Sequence, residues 1–410
     1  MKRVLIACQY ATNKGDRAIA EYLIYQLRKY KDIQIVLSTN KPDLWDDYRN
    51  QGVEVIDMGY RDPSIKLKAG LACRVIRKLT EKYYHAFIYP DLLKAGQHKR
   101  CQKQSKKFIE QIQRADLVIV TGGHHITSIR SANALFDVTY DIGLISLFSK
   151  RYVLWSQTIG PLVFSNAEAK SFFGRVLRSA ENVYIRDNNS SVCLAELYPN
   201  LNNVKKSYDS VFGFGSLEIV PYSDREKKIG ISIFNGLPKA YKTFNTLAGV
   251  LDHYAALGYA IEFFRMEHHD KELGDIRTII GKMKVKTQID IFAFKTSALE
   301  HLKELAQCQV YIGYKTHSAI MSLATATPLL GICYHQKTRD FMSDYGLQEY
   351  AIDDEAFTVD AGVALIDRLI ANSEDVHERM SSKSNAIAKT IERDLESMLF
   401  EGDEVGDDGE

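Results

Sequence analysis

The feature that most constrains the fold of this chain is an alternation between short apolar runs and longer amphipathic segments. The runs are continuous and rich in Val, Ile and Leu, as is typical of parallel strands buried on both faces. They fall in two series, at 4–8, 33–37, 53–56, 117–120, 152–156 and 183–185, and then at 229–233, 260–264, 310–312 and 329–333. Helical patterns lie between most of them, as at 16–30, 167–180, 190–197, 241–257 and 298–308. The alternation predicts an α/β fold with helices on both faces of parallel sheets.

The two series indicate two domains, which suits a length of 410 residues. They are separated by residues 207–228, which contain Gly, Pro and the charge cluster DREKK. We therefore predict two Rossmann-like doubly wound domains, 1–215 and 225–398, facing each other across a cleft. A closing helix from about residue 360 ends the second domain. The acidic tail at 400–410 has almost no apolar residues and is expected to be disordered.

Composition excludes several classes of protein. With 53 basic and 52 acidic residues, the chain lacks the positive charge of a dedicated nucleic-acid binder. The six cysteines form no CxxC pair, so free thiols in a reducing compartment are expected. The first apolar run is too short for a signal peptide, and no run has the length of a membrane span. These observations predict a cytoplasmic protein.

One basic insertion, residues 61–107, carries 13 Lys and Arg against three Asp and Glu. Its apolar residues fall roughly on one helical face. We give more weight to a solvated helix packed on the first domain. The alternative is a basic amphipathic helix that contacts the anionic inner face of a membrane.

Loops that follow strands are the candidate sites, because ligands of parallel α/β sheets bind beyond the carboxyl ends of strands. The first loop, QYATNKGD, lacks the GxGxxG spacing of a dinucleotide site. Its Asp16 is either the N-cap of the next helix or a ligand for the hydroxyls of a neutral molecule. In the loop TGGHH, two glycines allow close approach to a ligand, and we expect one functional histidine rather than a metal bound by both.

Basic residues follow several strands. Arg186 comes directly after the run at 183–185, where it either pairs with Asp187 or a neighbouring acid, or forms an anion-binding fork. In the second series, GYKTHSAI follows one strand and YHQK follows the next. If these strands are neighbours, Lys315, His317, Ser318 and Lys337 converge on an anionic ligand at a helix N-terminus.

In this order, these loops resemble the polysaccharide pyruvyltransferase family. The matching segments are NKGDRAI, ADLVIVTGG, WSQTIGPL, VYIRDNNS, SYDSVFGF, IGISI and CQVYIGYKTHSAIMSLATATPLLGICYHQKTRDFMSDYGL. The resemblance implies two Rossmann-like domains arranged as in GT-B glycosyltransferases. It also implies transfer of pyruvate from phosphoenolpyruvate onto two hydroxyls of a sugar as a cyclic ketal, with release of phosphate.

The resemblance also implies site residues. Its basic-x-His motif falls on Lys315 and His317, its strand-end arginine on Arg186, and its N-terminal Asn/Asp loop on Asn13 and Asp16. This chain has Lys315 where the family usually has arginine, and His124 where it usually has a third consecutive glycine.

We accordingly predict three groups of site residues. His317 is the proton donor and Asp16 the base; Arg186, Lys315, Ser318 and Lys337 bind phosphoenolpyruvate; Asn13, Gly123, His124 and Gln157 bind the acceptor. Phosphoenolpyruvate is a co-substrate, and the scheme needs no cofactor and no metal. The expected acceptor is a sugar of a cell-surface polysaccharide or its lipid-linked precursor, and no oligomeric state is predicted. The alternatives are a GT-B glycosyltransferase that uses a nucleotide sugar and a non-catalytic member of the family.

Overall fold

The computed structural model describes residues 1–10, 12–59, 103–129, 134–164, 166–234, 240–286, 288–334 and 336–400. The chain divides into two compact units. Unit 1 comprises Met1–Ala11 and Leu23–Tyr208, and unit 2 comprises Thr12–Tyr22 and Asp209–Glu410. The predicted basic insertion, up to residue 102, and the acidic tail from residue 401 lie outside the described residues.

Unit 1 is built on a parallel sheet in the order β3-β2-β1-β4-β6-β7-β8, with β5 paired to β6. Its strands are β1 (Lys2–Gln9), β2 (Ile33–Thr39), β3 (Glu54–Asp57), β4 (Leu117–Val120), β5 (Gly123–Ile126), β6 (Tyr152–Ile159), β7 (Val183–Ile185) and β8 (Val204–Lys206). The helices in this part of the chain are α1 (Lys14–Leu27), α2 (Asp46–Arg49), α3 (Lys103–Arg114), α4 (Ala134–Phe148), α5 (Ala167–Ser179) and α6 (Asn188–Leu197). Residues of α1 up to Tyr22 belong to unit 2.

Burial of both faces explains the continuous apolar strands of unit 1. Strands β1 and β4 pair in register, with Leu5 opposite Val118, and both side chains are fully buried. The helices add an apolar layer that includes Phe108 of α3 and Phe173 of α5. At about 25 cal/mol per Å² of apolar surface removed from water, such layers supply most of the favourable free energy of folding.

Unit 2 repeats the plan with a second parallel sheet in the order β11-β10-β9-β12-β13-β14. The strands are β9 (Glu226–Ser232), β10 (Ala260–Phe264), β11 (Ile289–Phe292), β12 (Cys308–Gly313), β13 (Leu329–Cys333) and β14 (Ala351–Asp353). The helices are α7 (Val211–Gly215), α8 (Ala240–Ala256), α9 (Asp270–Lys282), α10 (Ala298–Ala306), α11 (Thr316–Ala324), α12 (Gln336–Asp344), α13 (Val359–Ala371) and α14 (Ser373–Phe400). Strands β12 and β13 are neighbours, which meets the condition stated above for the loops that follow them.

The closing segment consists of two helices, α13 and α14, rather than the single helix that its periodicity suggested. The break falls at Asn372, whose backbone leaves the helical region (φ −108°, ψ 17°). Both its backbone N–H and its side-chain amide donate to the carbonyl of Arg368 at the end of α13. Along α14, buried residues recur at helical spacing, as at Val376, Met380 and Ile387.

The predicted α/β class with Rossmann-like parallel sheets is confirmed. Each sheet reverses its strand order once, between β1 and β4 in unit 1 and between β9 and β12 in unit 2. In such sheets the point of reversal opens a crevice beyond the carboxyl ends of the two strands, where ligands bind. The short strands that the sequence missed, such as β8 (VKK) and β14 (AID), have no continuous apolar run.

Candidate functional site

The stretch GYKTHSAI lies at the reversal point of the unit 2 sheet, directly after β12. Lys315 is the N-cap residue of α11, with an extended backbone and no side-chain cap. The buried hydroxyl of Ser318 donates to the carbonyl of Lys315 at 2.7 Å and so holds the turn. The strand end, the turn and the helix start therefore place His317 in the first turn of α11.

Two carboxylates face the imidazole of His317. Its Nε2 lies 4.0 Å from Oδ1 of Asp16 and 3.8 Å from Oδ2 of Asp209. A positive charge on the ring would thus have two ion-pair partners, which suits a proton donor. The ring also packs against Gly15, where a Cβ atom would lie 2.0 Å from Cγ of His317. The absence of a side chain at Gly15 is what admits the ring.

Asn13, rather than Asp16, caps helix α1. Its Oδ1 accepts from the backbone N–H of Gly15 at 2.8 Å and of Asp16 at 3.4 Å. The alternative interpretation of Asp16 as a simple N-cap is therefore not what the structure shows. The Asp16 carboxylate, in the first turn of the helix, is turned toward His317 instead.

The start of α1 is firmly attached within unit 2. The ammonium of Lys14 is fully buried and donates to the carbonyls of Phe294 and Thr296. Arg17 pairs with Glu21 at 2.5 Å, and both side chains are buried. This network fixes the helix turn that carries Asp16, so the distance between Asp16 and His317 is set by buried contacts rather than by a mobile loop.

Lys315 has carboxylate partners of its own. Its Nζ lies 2.8 Å from Oε1 of Glu267 and 3.7 Å from Oε1 of Glu272. The same Glu267 oxygen accepts from the side-chain amide of Asn13 at 3.0 Å. Burial raises the pKa of Glu272, and the charge of Lys315 opposes that rise. An anion that binds Lys315 must therefore compete with Glu267.

Aromatic rings lie at the same edge of the unit 2 sheet. Tyr334, just after β13, stacks on Phe234 at 4.1 Å and on Tyr314 at 6.4 Å between ring centroids. Burial, aided by the charge of Glu267, raises the pKa of Tyr334 to about 12, so its hydroxyl stays protonated near neutral pH. Lys337 lies in the first turn of α12, and its side chain is outside the described part of the chain.

In unit 1, the segment after β4, which includes strand β5, carries predicted acceptor residues. Gly122 lies so close to β6 that a Cβ atom would be 2.2 Å from the carbonyl oxygen of Ser156. Gly123 has a φ of +141°, which side chains rarely allow, and the ring of His125 covers it. Nε2 of His124 donates to the carbonyl of Gly160 at 2.8 Å, so this imidazole contributes to the fold of the loop.

His125, which the sequence analysis did not choose, occupies a different setting. Its ring lies 4.3 Å from that of Tyr10, centroid to centroid. Burial, aided by the positive charge of Arg186, lowers the pKa of His125 to about 3. This imidazole is therefore neutral at physiological pH.

Arg186 and Gln157 also belong to unit 1. Nε of Arg186 donates to Oγ1 of Thr158 at 2.8 Å, and that hydroxyl donates to Asp187 at 2.6 Å, so a hydroxyl links the predicted pair. The amide of Gln157 is buried and donates to the carbonyls of Val120 and Thr121. The side-chain N–H groups of Gln157 therefore donate to the protein backbone.

Unit 2 therefore brings together five of the predicted residues: Asn13, Asp16, Lys315, His317 and Ser318. Unit 1 contains Gly123, His124, Gln157 and Arg186. The sequence analysis missed Asp209, Glu267 and Glu272. Asp209 stands in the quoted segment SYDSVFGF and Glu267 in the loop after β10, but neither has a local pattern that sets it apart from a surface acid.

Neither a metal site nor a membrane span is found among the described residues. In the part of the chain that the structure describes, no three His, Cys, Asp or Glu side chains are arranged to hold a metal ion. Among the same residues, no helix combines the length and the apolar character needed to cross a bilayer.

Several solved structures share the fold. A glycosyltransferase from Rickettsia africae has a TM-score of 0.55 at 10% identity, covering 97% of this chain and 99% of that one. A UDP-GlcNAc 2-epimerase from Methanocaldococcus jannaschii scores 0.56 at 11% identity, covering 98% and 100%. The Anabaena protein HepE, in complex with UDP-glucose, scores 0.57 at 10% identity, covering 97% and 99%. At such low identity these likenesses show the GT-B type of fold alone.

Sequence comparison is more specific. The amylovoran biosynthesis protein AmsJ of Erwinia amylovora is 31% identical over 77 residues, which is 19% of this chain and 19% of that protein. The match thus spans about a fifth of the curated relative. The model of the polysaccharide pyruvyl transferase family matches residues 13–336, which include both the Asn13–Asp16 turn and the Lys315–His317 step. The chain belongs to the polysaccharide pyruvyl transferase family.

Proposed function

We propose that this protein transfers the pyruvyl group of phosphoenolpyruvate to two hydroxyls of one sugar, forming a cyclic ketal and releasing phosphate. The sugar belongs to a cell-surface polysaccharide or to its lipid-linked precursor. The observation that carries the proposal is the placement of His317 beside Asp16, which supplies a proton donor and a base at the reversal point of one sheet.

The first chemical step needs an acid. The imidazolium of His317 gives a proton to the methylene carbon of phosphoenolpyruvate, and the neighbouring carbon becomes an oxocarbenium-like centre. Imidazole suits this task because it exchanges a proton near neutral pH. The carboxylates of Asp16 and Asp209 would stabilise the charged ring before the transfer.

The second step needs a base. One sugar hydroxyl attacks the oxocarbenium carbon while Asp16 accepts its proton. A second hydroxyl of the same sugar then attacks that carbon, and the bond to the phosphate oxygen breaks. Neutral His317 takes the second proton, and the proton on Asp16 leaves with phosphate, so both groups return to their starting states.

Donor binding needs positive charge, because phosphoenolpyruvate carries two to three negative charges near neutral pH. Lys315 and the N-terminus of α11 supply it in unit 2, and Ser318 supports that turn through the Lys315 carbonyl. Arg186 and Lys337 remain predicted donor ligands. An Arg186→Gln variant with a raised KM for phosphoenolpyruvate and an unchanged acceptor KM would support the role of Arg186.

The test is an assay of phosphate release from phosphoenolpyruvate with galactosyl, glucosyl and N-acetylmannosaminyl acceptors. The expected result is release that depends on one acceptor, with one ketal formed per phosphate. UDP release from a UDP-sugar, without any phosphate from phosphoenolpyruvate, would instead identify a glycosyltransferase. No turnover of either donor across the panel would favour a non-catalytic protein.

A further inference from the structure

Asp209 is a buried carboxylate of unit 2. It precedes α7, and its side chain is 0% exposed. Oδ1 accepts from the backbone N–H of Val211 at 3.0 Å, which fixes the carboxylate relative to the chain. Oδ2 is the oxygen that lies 3.8 Å from Nε2 of His317. Oδ1 of Asp209 therefore stabilises the turn before α7, while Oδ2 faces His317, the proposed acid.

The segment that carries Asp209 is tightly packed. A Cβ atom at Gly215 would lie 2.3 Å from the Cβ of Ala324 on α11, the helix of His317. The ring of Tyr22 covers Gly213 and meets Phe214 edge to face at 5.3 Å. Asp209 is thus held against α11 by close contacts, and it has little freedom to move toward a ligand.

Asp16 and Asp209 approach the same nitrogen but differ in access. The Asp16 side chain retains 15% exposure, so a sugar hydroxyl can reach it. The Asp209 side chain retains none, so its contribution must pass through the imidazole. At this distance a fixed carboxylate attracts the charged imidazole and so stabilises its protonated form.

We infer that Asp209 is the positioning residue of His317, holding the imidazole in the orientation and charge state needed to protonate the donor. The kinetic part of this inference rests on the proposed function. The effect of Asp209 on His317 does not, because it concerns only two side chains of this protein.

The charged surroundings of His317 come from several elements. Asp16 on α1 and Asp209 before α7 face the ring. Lys315, two residues before His317, directs its ammonium to Glu267 and Glu272 beyond β10. Removal of the Asp209 charge therefore leaves the carboxylate of Asp16 near Nε2. It also leaves the ion pairs of Lys315 with Glu267 and Glu272 in place.

The test begins with the variant Asp209→Asn in the full chain. Asparagine keeps an Oδ1 acceptor for the Val211 N–H, so the turn is preserved while the charge is lost. The readout is the NMR titration of the His317 ring proton, assigned by comparison with His317→Gln. The midpoint is expected to fall by about one pH unit or more. Asp16→Asn should lower it less, because Asp16 is more exposed to solvent.

Kinetics supply a second readout. In Asp209→Asn, kcat for phosphate release should fall at least about tenfold, with little change in the KM for phosphoenolpyruvate. The alkaline limit of the pH optimum, where His317 loses its proton, should move to lower pH, in step with the NMR midpoint. The exposed Asp224→Asn, in the same unit, is the matched control and should match the wild type in both readouts.

The outcomes separate the two proposals. An unchanged His317 midpoint in a folded Asp209→Asn protein overturns the inference, whatever the donor is. A lowered midpoint in a protein that releases no phosphate from phosphoenolpyruvate supports the inference and overturns the proposed function. A fall in kcat without any movement of the midpoint or the pH profile assigns Asp209 a purely structural role and also overturns the inference.

Discussion

His317, in the helix after β12, and His125, in the short strand β5 after β4, both lie near the reversal point of a parallel sheet, yet their surroundings give them opposite properties. His317 faces the carboxylates of Asp16 and Asp209, which favour a charged ring. His125 packs on the ring of Tyr10, and burial, aided by the positive charge of Arg186, favours a neutral ring.

The comparison shows that fold position alone does not assign the chemistry of a histidine. Similar positions near a sheet reversal hold a candidate proton donor in one unit and a ring that is neutral near pH 7 in the other. Burial, aided by a nearby positive charge, keeps His125 neutral, whereas two nearby carboxylates favour a positive charge on His317. Substitutions at each position test this contrast.

The largest effect is expected from His317→Gln. Loss of a general acid typically costs a factor of 10² to 10⁴, so phosphate release should fall by about 10³-fold. His125→Gln should retain most of the activity, because a neutral ring donates no proton at this step. The exposed His269→Gln is the matched control in unit 2. Equal losses in the His317 and His125 variants, with both proteins folded, would contradict the contrast.

Gly15→Ala tests the geometry of the acid rather than its chemistry. The new methyl group would lie 2.0 Å from Cγ of His317, so the ring must shift away from its carboxylates. A displacement of about 1 Å at a reacting group can cost about 10²-fold in rate, and we expect a loss of that order in kcat. Gly274→Ala, a helical glycine with no atom within 4 Å of its Cβ position, should leave kcat unchanged. Wild-type kcat in Gly15→Ala would mean that the position of the ring is unimportant.

Much of this arrangement was predictable from local patterns. The continuous apolar runs gave the locations of β10, β12 and β13 because buried parallel strands need such runs. The prediction that polar residues directly after β12 begin a helix also agrees with the structure, which places Lys315 at the N-cap of α11. Local pattern was sufficient wherever burial or capping involved neighbours in the sequence.

The partners of these residues were not predictable in the same way. Asp209 meets His317, and Glu267 meets Lys315, only because separate segments converge at one sheet edge. Nothing in the sequence near Gln157 indicates that its amide is used by the carbonyls of the neighbouring strand β4 and the loop after it. Long-range hydrogen bonds and ion pairs depend on tertiary packing, which a single sequence does not display.

Glu267→Gln tests the donor-binding side of the contrast. The carboxylate of Glu267 forms an ion pair with the ammonium of Lys315, so an anion that binds Lys315 must compete with that carboxylate. Without that charge the apparent KM for phosphoenolpyruvate should fall about three- to fivefold, the equivalent of about 1 kcal/mol for a partly exposed pair. Lys315→Gln should raise the same KM. Steady-state kinetics with varied phosphoenolpyruvate and saturating acceptor measure the KM of each variant. A raised KM in Glu267→Gln would mean that the carboxylate instead helps to position Lys315 for the donor.

The smallest effect concerns stability and pH at His125. Its pKa is about 3 in the folded protein and near 6.5 when unfolded, so the unfolded chain binds more protons between these values. The free energy of unfolding should therefore fall as pH drops from about 6.5 toward 3, by about 1 to 2 kcal/mol at pH 5.

His125→Phe keeps a ring against Tyr10 but removes the titrating group. If the variant has a lower free energy of unfolding than the wild type at pH 7.5, that difference should be smaller at pH 5, because only the wild type loses stability as its unfolded state binds a proton on His125. Thermal unfolding of both proteins at the two pH values measures this difference, with the exposed His269→Phe as control. A disadvantage that stays constant with pH would show that His125 is not held neutral, and the contrast with His317 would then rest on the carboxylates of unit 2 alone.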